Sequence, residues 1–412
     1  MSAAASPRVA DGAAPDAGAC SAEVVVVGAG PAGLSLAAAL GSAGLEVLVV
    51  EAQAAAALAE PAPDGREIAL THASRALLEG LGIWERLPQD DIHPLRDAQV
   101  LDGPDGARLR VGAGGTGAEQ LGWLVPNHRI RAAAWEAVAA CPRVRVLDGC
   151  RVADATLEGG LRQVRLEDGR VLRAPLLVAA DSRFSATRRQ LGIGARMRDF
   201  GRSMVLCRVA LARPHEDVAW EWFDYGQTLA LLPLSGQRAS AVLTLPHEAA
   251  AALSALEGEA LGAALTARFH GRFGDMRPLG PCHAYPLVGV YADRFDAPRA
   301  ALVGDAAVGM HPVTAHGFNF GLQGQARLAR RVVAAHRAGG DVGAPALLAA
   351  YAAEHRRATL PLFLATNLVA SLYTDTRAPA RLLRDLAVRG AARMAPFRRA
   401  LARHLTQVPR DG

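Results

Sequence analysis

The alternation of apolar and polar positions first marks a set of short buried strands. Residues 24–27 are four valines, a pattern typical of a strand buried on both faces. A helical pattern follows over residues 31–41, and a second apolar strand over residues 46–50. The runs 176–180 and 301–303 have the same character later in the chain. This order predicts an α/β fold built on a Rossmann-like parallel sheet.

The middle of the chain has a different period. Between residues 204 and 245 the stretches SMVLCRVALA, VAWEWF, TLALLPL and RASAVLTL alternate with period two and predict strands joined by short turns. A hairpin with its turn at Asp168 and Gly169 precedes them, and helices are predicted over residues 74–87 and 249–269. An antiparallel sheet inserted into a Rossmann-like fold is a natural wall for a substrate pocket.

Composition matters mainly for what it excludes. The chain has 412 residues and a formal net charge of only +5, which gives nucleic-acid binding little support. It has no lysine, so Schiff-base chemistry and a P-loop lysine are excluded. No metal-ligand cluster, Ser-His-Asp triad or pair of acids stands out.

Cysteine usage and the absence of long apolar runs bear on location. The five cysteines are scattered without a CxxC pair, which predicts neither a disulfide framework nor a zinc site. Small buried free cysteines favour a reducing compartment. No segment has the apolar length that a bilayer requires, and residues 1–20 have the composition of a disordered tail. We therefore expect a cytoplasmic protein, soluble or peripheral on a membrane.

The clearest motif joins the first strand to the first helix. Gly28, Gly30 and Gly33 form a GxGxxG between them, and Glu51 ends the second strand. In such motifs the first glycine permits a tight turn, the second lets the backbone approach a pyrophosphate, and the third lets helix and strand pack. The helix N-terminus faces the phosphates, and the acid binds a ribose hydroxyl. The pattern predicts dinucleotide binding without separating FAD from NAD.

Two later strands also end on polar residues. The run 176–180 ends on Asp181, which either caps the next helix or holds a nucleotide hydroxyl. The run 301–303 ends on Gly304 and Asp305. A loop with His311, Pro312 and His316 follows, and a helical pattern begins near Phe318.

Two arginines are weaker candidates. Arg66 lies in a loop before the helix predicted over residues 74–87, and Arg131 lies in the first turn of the helix that follows Asn127. Solvation of both arginines and capping by Asn127 explain these residues without any ligand.

The order of the motifs is more specific than any one of them. GAGPAG, GREIAL, VPNHRIR, VAADSRFSATR and VGDAAVGMHPVTAHGFNFGL follow one another, and TNLVASLYTDTRAPARLLRDLAVRGAAR comes near the C-terminus. This order resembles the class A FAD-dependent aromatic monooxygenases, and among them the ubiquinone-biosynthesis hydroxylase family. The resemblance covers nearly the whole chain after residue 20.

The resemblance implies a division of the chain and a set of binding residues. It implies a FAD-binding domain over residues 21–195 and 280–345, an antiparallel-sheet substrate domain over 196–279, and C-terminal helices over 346–412. The sequence departs from the family pattern at three positions. Ser182 stands where many members have glycine, Val308 where many have histidine, and Gly324 where aspartate is frequent. The implied cofactor-binding residues are Gly28, Gly30, Gly33, Glu51, Arg66, Arg131, Asp181, Gly304, Asp305, Pro312, Gly317, Phe318 and Asn319.

The resemblance also implies the chemistry. FAD would be bound, be reduced transiently by NAD(P)H or another electron donor, and react with oxygen to a flavin C4a-hydroperoxide that hydroxylates an electron-rich ring. The ring would belong to a polyprenylated phenol or quinol such as demethoxyubiquinol. The helix that starts at Gly317-Phe318-Asn319 would stabilise negative charge on the reduced flavin. His311 and His316 either polarise substrate or hydroperoxide, or only hydrogen-bond their loop.

The end of the chain suggests where such a substrate is met. Residues 377–410 are strongly basic, and apolar residues interleave with the arginines. This pattern is typical both of a helix packed on its own domain with a solvated face and of contact with anionic lipid, on the inner face of the membrane, or with a quinone-biosynthesis complex. Two other functions share the FAD-binding order or the lipid contact: a FAD-dependent reductase of a prenyl lipid, and a non-catalytic lipid-binding subunit.

Overall fold

The computed structural model describes residues 21–103, 108–114, 116–224, 226–311 and 317–374, together with Ala402 and Thr406. The predicted tail, Pro312, His316 and nearly all of the basic segment lie outside these residues. The helices are α1 (Pro31–Ser42), α2 (Ala55–Ala59), α3 (His72–Gly80), α4 (Asn127–Ala139), α5 (Ala186–Gln190), α6 (His247–Ser254), α7 (Gly258–Arg268), α8 (Gly317–Arg337) and α9 (Pro345–Thr374).

The strands fall into four sheets. Their bounds are β1 (Val24–Val27), β2 (Val47–Val50), β3 (Glu67–Leu70), β4 (His93–Leu95), β5 (Asp97–Asp102), β6 (Arg108–Gly112), β7 (Gly122–Pro126), β8 (Val144–Leu147), β9 (Val152–Glu158), β10 (Leu161–Leu166), β11 (Val171–Ala174), β12 (Leu176–Ala179), β13 (Ala195–Leu211), β14 (Val218–Asp224), β15 (Gln227–Pro233), β16 (Arg238–Pro246), β17 (Met276–Pro278), β18 (His283–Ala292), β19 (Asp296–Ala297), β20 (Ala300–Leu302) and β21 (Val308–Gly309).

The first sheet is the predicted parallel one. Its order is β19-β20-β12-β1-β2-β8; the strands β20, β12, β1, β2 and β8 are parallel to one another, and β19 is antiparallel to β20. Helices α1, α4 and α8 pack together beside it, and the small antiparallel sheet β9-β10-β11 packs against β1 and β12. With both faces covered, the four valines of β1 are buried, and this explains their apolar run. The predicted α/β class is confirmed.

The second large sheet is antiparallel for most of its length. Its order is β21-β18-β13-β16-β15-β14-β5-β6, with β17 also paired to β13. One face carries a separate hydrophobic core with α6 and α7. Strands from before residue 196 and after residue 279 therefore join the sheet predicted over 196–279, and the domain boundaries themselves stay a prediction.

Two predicted helices are shorter than expected. The helix expected over residues 74–87 ends at Gly80, because Gly82 takes a φ of +64°, and a 3₁₀ turn at Trp84–Arg86 follows. The helix expected over residues 249–269 is two helices, α6 and α7, and Gly258, the first residue of α7, has a left-handed conformation. An apolar period can continue across such a break, so the period alone does not reveal it.

One cysteine prediction is wrong. Cys207 and Cys282 form a disulfide, whereas Cys141 and Cys150 are free. The two bonded residues are 75 positions apart in sequence, so their spacing carries no signal. They meet because β13 and β18 are antiparallel neighbours in which Leu206 is paired with His283.

Candidate functional site: two strand ends at one edge of the parallel sheet

The glycine turn after β1 is shaped by contacts with the protein at two positions and by open space at the third. Gly28 has a φ of +107°, and a Cβ on it would lie 2.5 Å from the Ala180 carbonyl oxygen. A Cβ on Gly33 would lie 2.0 Å from the Gly28 carbonyl oxygen. A Cβ on Gly30 would meet no atom within 4 Å. Gly28 and Gly33 thus close the turn, and Gly30 leaves a cradle into which a ligand can approach.

The acid at the end of β2 lies beside this turn. The Glu51 carboxylate accepts hydrogen bonds from the backbone N–H of Ala29 at 2.7 Å and of Gln53 at 2.8 Å. The Arg131 guanidinium donates to the Gln53 side-chain oxygen at 3.0 Å. The structure therefore brings Arg131 of α4 to the same edge of the sheet as Glu51 and the glycine turn.

The end of β20 meets the start of α1. Gly304 has a φ of +60°, and a Cβ on it would lie 3.1 Å from the Ala32 Cβ. Asp305 follows in a 3₁₀ turn, and its carboxylate pairs with Arg183 at 3.0 Å. Because parallel strands end at the same edge, the two glycine-containing strand ends of the sequence lie at one edge of the sheet, with the end of β12 between them. Gly304 packs there and leaves the partly exposed Asp305 carboxylate at the edge.

Asp181, between these two strand ends, is used as a local cap. Its carboxylate accepts from the Ser185 hydroxyl and from the Thr187 backbone N–H at 3.0 Å, at the start of α5. Both carboxylate oxygens thus have protein partners, as the capping alternative predicted. Ser182, where many family members have glycine, has a φ of +78°, so a side chain stands in a conformation that favours glycine.

Arg66 is held in a network that links the parallel sheet to the large sheet. It pairs with Asp64, which also accepts from the Asn127 amide at 2.7 Å. Burial opposes ionisation of Asp64, but the charge and hydrogen bonds of Arg66, with the Asn127 amide, outweigh it and lower its pKa. The Tyr285 hydroxyl of β18 donates to the Asp64 carbonyl. The expected capping role of Asn127 is wrong, because its side chain binds Asp64 and Pro126 is the cap residue.

The first turn of α8 is fixed to β3 and to Thr71, which follows it. The buried Asn319 side chain accepts from the Thr71 backbone N–H at 3.2 Å and donates to the Ala69 carbonyl at 2.8 Å. Gly317 and Phe318 are half-buried. The Asn319 side chain is therefore used to position the first turn of α8.

His311 is buried, with its ring against the edge of Phe200 at 4.8 Å between centroids. Burial, and then the charge of Arg198, lower the pKa of His311 to about 4. The imidazole is therefore neutral at pH 7. The reason for suspecting a catalytic role, titration near neutral pH, does not hold for His311, and any role falls to the neutral ring.

The structure also shows site residues that sequence reasoning missed. Arg183 holds Asp305 and also donates to the Val288 carbonyl at 3.2 Å. The buried Arg188 guanidinium donates to the carbonyl oxygens of Arg183 and Ala306. The arginine-rich stretch after Asp181 was the available signal. These arginines join the loop after β12 to the turn after β20.

Gly324 and Val308 are the other two positions at which the sequence departs from the family pattern. A Cβ on Gly324 would lie 2.7 Å from the ring nitrogen Nε2 of the buried His355, so glycine leaves room for that ring. Val308 is buried in β21, which pairs with Tyr291 of β18. Nothing in the structure explains the absence of a histidine at position 308.

These residues fit a flavin dinucleotide. The cradle at Gly30 suits a pyrophosphate, Glu51 a ribose hydroxyl, and Asp305 the ribityl hydroxyls, and all three lie at one edge of the sheet. Together with the large antiparallel sheet, they define a flavoprotein of the Rossmann type. The fold is similar to that of p-nitrophenol 4-monooxygenase PnpA from Pseudomonas putida, with a TM-score of 0.76 at 18% identity over 94% of this chain and 98% of that chain.

The chain belongs to the FAD binding domain family, whose model matches residues 21–361, and FAD is thereby confirmed as the cofactor. It is 44% identical to the ubiquinone hydroxylase UbiM of Neisseria meningitidis over 388 residues, which are 93% of this chain and 84% of that protein. It is 29% identical to the 3-demethoxyubiquinol 3-hydroxylase of Escherichia coli over 378 residues, 92% of this chain and 96% of that protein.

Proposed function

We propose that this protein is a FAD-dependent monooxygenase that hydroxylates the aromatic ring of a polyprenylated ubiquinone precursor. The observation that carries the proposal is that both strand ends lie at one edge of the sheet, with Gly304 close to Ala32 at the start of α1 and the cradle at Gly30 beside them. It occurs in a member of the FAD binding domain family that is 44% identical to a protein named ubiquinone hydroxylase. The predicted substrate, demethoxyubiquinol, is supported by the name of the Escherichia coli relative.

In this proposal each residue has a limited task. Bound FAD supplies the redox chemistry, which is reduction by a donor and activation of oxygen for transfer to the ring. Glu51 binds the ribose and Asp305 the ribityl chain, and Arg183 keeps the Asp305 carboxylate in place. The first turn of α8, fixed through Asn319, would direct the positive end of the helix dipole at developing negative charge, which such a helix end stabilises by about 0.3–1 kcal/mol.

The electron donor and the substrate site complete the proposal. The sequence holds one dinucleotide fingerprint, so NAD(P)H or another donor would act transiently rather than occupy a second Rossmann fold. The aromatic ring would lie between this edge and the large sheet. Contacts of Tyr285 in that sheet with Arg66 and Asp64 join the two parts. Polarisation of substrate by His311 or His316 stays a hypothesis, with His311 acting as a neutral ring.

The deciding experiment uses the FAD-loaded protein with a short-tailed demethoxyubiquinol, oxygen and either NADH or NADPH. We expect a product heavier by one oxygen atom, with that oxygen derived from isotopically labelled O₂. A FAD-loaded protein that reduces a prenyl chain instead would assign the reductase function. If the protein binds no FAD after reconstitution, only the function as a non-catalytic lipid-binding subunit would remain. Expression in strains that each lack one ring hydroxylase would then assign the ring position.

We further propose that the protein is cytoplasmic and meets its substrate at the membrane surface. Within the described residues no helix is long and apolar enough to cross a bilayer. However, Leu360, Leu364 and Leu368 lie one turn apart on α9 with exposed fractions of 36%, 55% and 71%. This apolar stripe precedes the basic segment at residues 377–410, and the combination favours an anionic lipid surface.

Vesicle flotation measures this contact. Wild-type protein should float with vesicles that contain anionic lipid, and Leu364→Ser with Leu368→Ser should reduce the bound fraction several-fold. Leu157→Ser, which changes an exposed leucine on β9, is the matched control. Equal flotation of all three proteins would refute a role for the α9 stripe.

A further inference from the structure

A row of partly accessible residues crosses one face of the large antiparallel sheet. Val100 of β5, Glu221 of β14, Ala230 of β15 and Val242 of β16 are successive cross-strand partners. Each keeps accessible surface, whereas the opposite face of the same strands is buried in the core with α6 and α7. Side chains on this row are small or short, apart from Glu221. We call this row of small side chains across four strands the trough; at its β5 end Val100 packs against a cluster that includes Leu109, Val111 and Leu121.

One end of the trough lies near Arg66, one of the residues proposed to bind the cofactor. Val242 is paired with Leu206 of β13, and the Leu206 Cβ lies 3.3 Å from the position of a Cβ on Gly65. Gly65 is next to Arg66. With strands spaced about 4.8 Å apart, three strand spacings place Glu221 roughly 14 Å from Leu206 along the row.

Glu221 is the unusual member of this row. Its neighbours Val100 and Ala230 are apolar, and among the residues that the structure describes it has neither a hydrogen-bond nor an ion-pair partner. Burial raises the pKa of Glu221 to about 8, yet the residue keeps accessible surface. The Glu221 carboxyl therefore lies in a mostly apolar but partly accessible part of the trough.

Glu67 is another carboxyl group near this sheet, and unlike Glu221 it has an ion-pair partner. Glu67 of β3 has a fully buried side chain, but it pairs with Arg208 of β13 in the large sheet at 2.6 Å. A buried carboxyl without a partner costs stability, so its presence in an apolar trough calls for a ligand that supplies the missing hydrogen bond.

We propose that Glu221 hydrogen-bonds a ring oxygen of the substrate and orients the ring in this trough. The inference rests on the proposed function. A phenol or quinol presents hydroxyl donors and ring oxygens that accept, and a neutral carboxyl can both accept and donate. The apolar neighbours then hold the ring and the start of the prenyl chain. Glu221 is a binding and positioning residue here, and no proton transfer is assigned to it.

The test compares wild type with Glu221→Leu, Glu221→Gln and, as the matched control, Glu248→Gln on the exposed first turn of α6. Each FAD-loaded protein is titrated with a short-tailed demethoxyubiquinol, with the flavin absorbance as the binding signal. KM, kcat and melting temperature are also measured. We expect Glu221→Leu to raise Kd and KM at least tenfold while its melting temperature stays equal or rises. Glu221→Gln, which keeps a donor and an acceptor, should stay within about threefold of wild type.

The outcomes separate the two claims. If wild type hydroxylates the quinol and Glu221→Leu binds and turns over like wild type, the role of Glu221 is overturned and the proposed function stands. If wild type holds FAD but neither binds nor oxygenates the quinol, both are overturned. A Glu221→Leu protein with a lower melting temperature and an unchanged Kd would mark Glu221 as merely structural.

Discussion

Replacement of Gly30 by alanine separates ligand binding from folding. Gly30 is the residue before α1, with φ −73° and ψ 173°, which alanine adopts without strain. A Cβ there would meet no atom of the protein within 4 Å. The added methyl group would therefore project into the cradle in which the pyrophosphate is expected, without touching the fold.

The effect on folding should be small because two contributions oppose each other. Alanine is a poorer N-cap than glycine, which costs about 0.5 kcal/mol. It also restricts the unfolded chain, which stabilises by about 0.4–1 kcal/mol. We expect the free energy of unfolding of the FAD-free protein to change by less than about 0.5 kcal/mol. The methyl should raise the Kd for FAD at least tenfold, which corresponds to about 1.4 kcal/mol.

The assay is denaturant unfolding of the FAD-free protein together with FAD titration by flavin fluorescence. Gly33→Ala is the control, because its Cβ would lie 2.0 Å from the Gly28 carbonyl oxygen and should destabilise the FAD-free protein by about 1–3 kcal/mol. If Gly30→Ala binds FAD as tightly as wild type, the cradle is not the pyrophosphate site. If it unfolds as easily as Gly33→Ala, the reasoning about free space is wrong.

Two other predictions concern stability. Ser182→Gly should raise the free energy of unfolding by about 0.5–1 kcal/mol, since a serine at φ +78° is strained; urea unfolding checks this, and a less stable variant would contradict it. Because the pKa of His311 is lowered to about 4, the unfolded chain binds its proton first, so stability is fully present above about pH 6.5 and is lost as the pH falls toward 4, by up to about 3 kcal/mol. In His311→Gln the free energy of unfolding should depend less on pH between about pH 6.5 and 4. An unchanged pH dependence would refute the lowered pKa.

The sequence determined the parts of this protein whose function is local. The β1–α1–β2 unit was predictable because its strand, glycines, helix and acid follow within about 30 residues, which is the length of such a unit. The turn at Gly304 and Asp305 was predictable as a second strand end for the same reason. Apolar runs of four residues predicted buried parallel strands, since both faces of such a strand are covered.

Tertiary structure decided which partner each polar side chain uses. Asp181 caps α5, Asn319 binds Ala69 of β3, and Asn127 binds Asp64, whereas the sequence left open or assigned other roles to all three. Partners such as Cys207 and Cys282 are set by strand register over many intervening residues, which local pattern does not encode. The same register placed Glu221 in an accessible trough within a stretch that, read alone, was only an alternating strand. Periodicity specifies which face of an element is buried, and only the assembled sheets specify what that face meets.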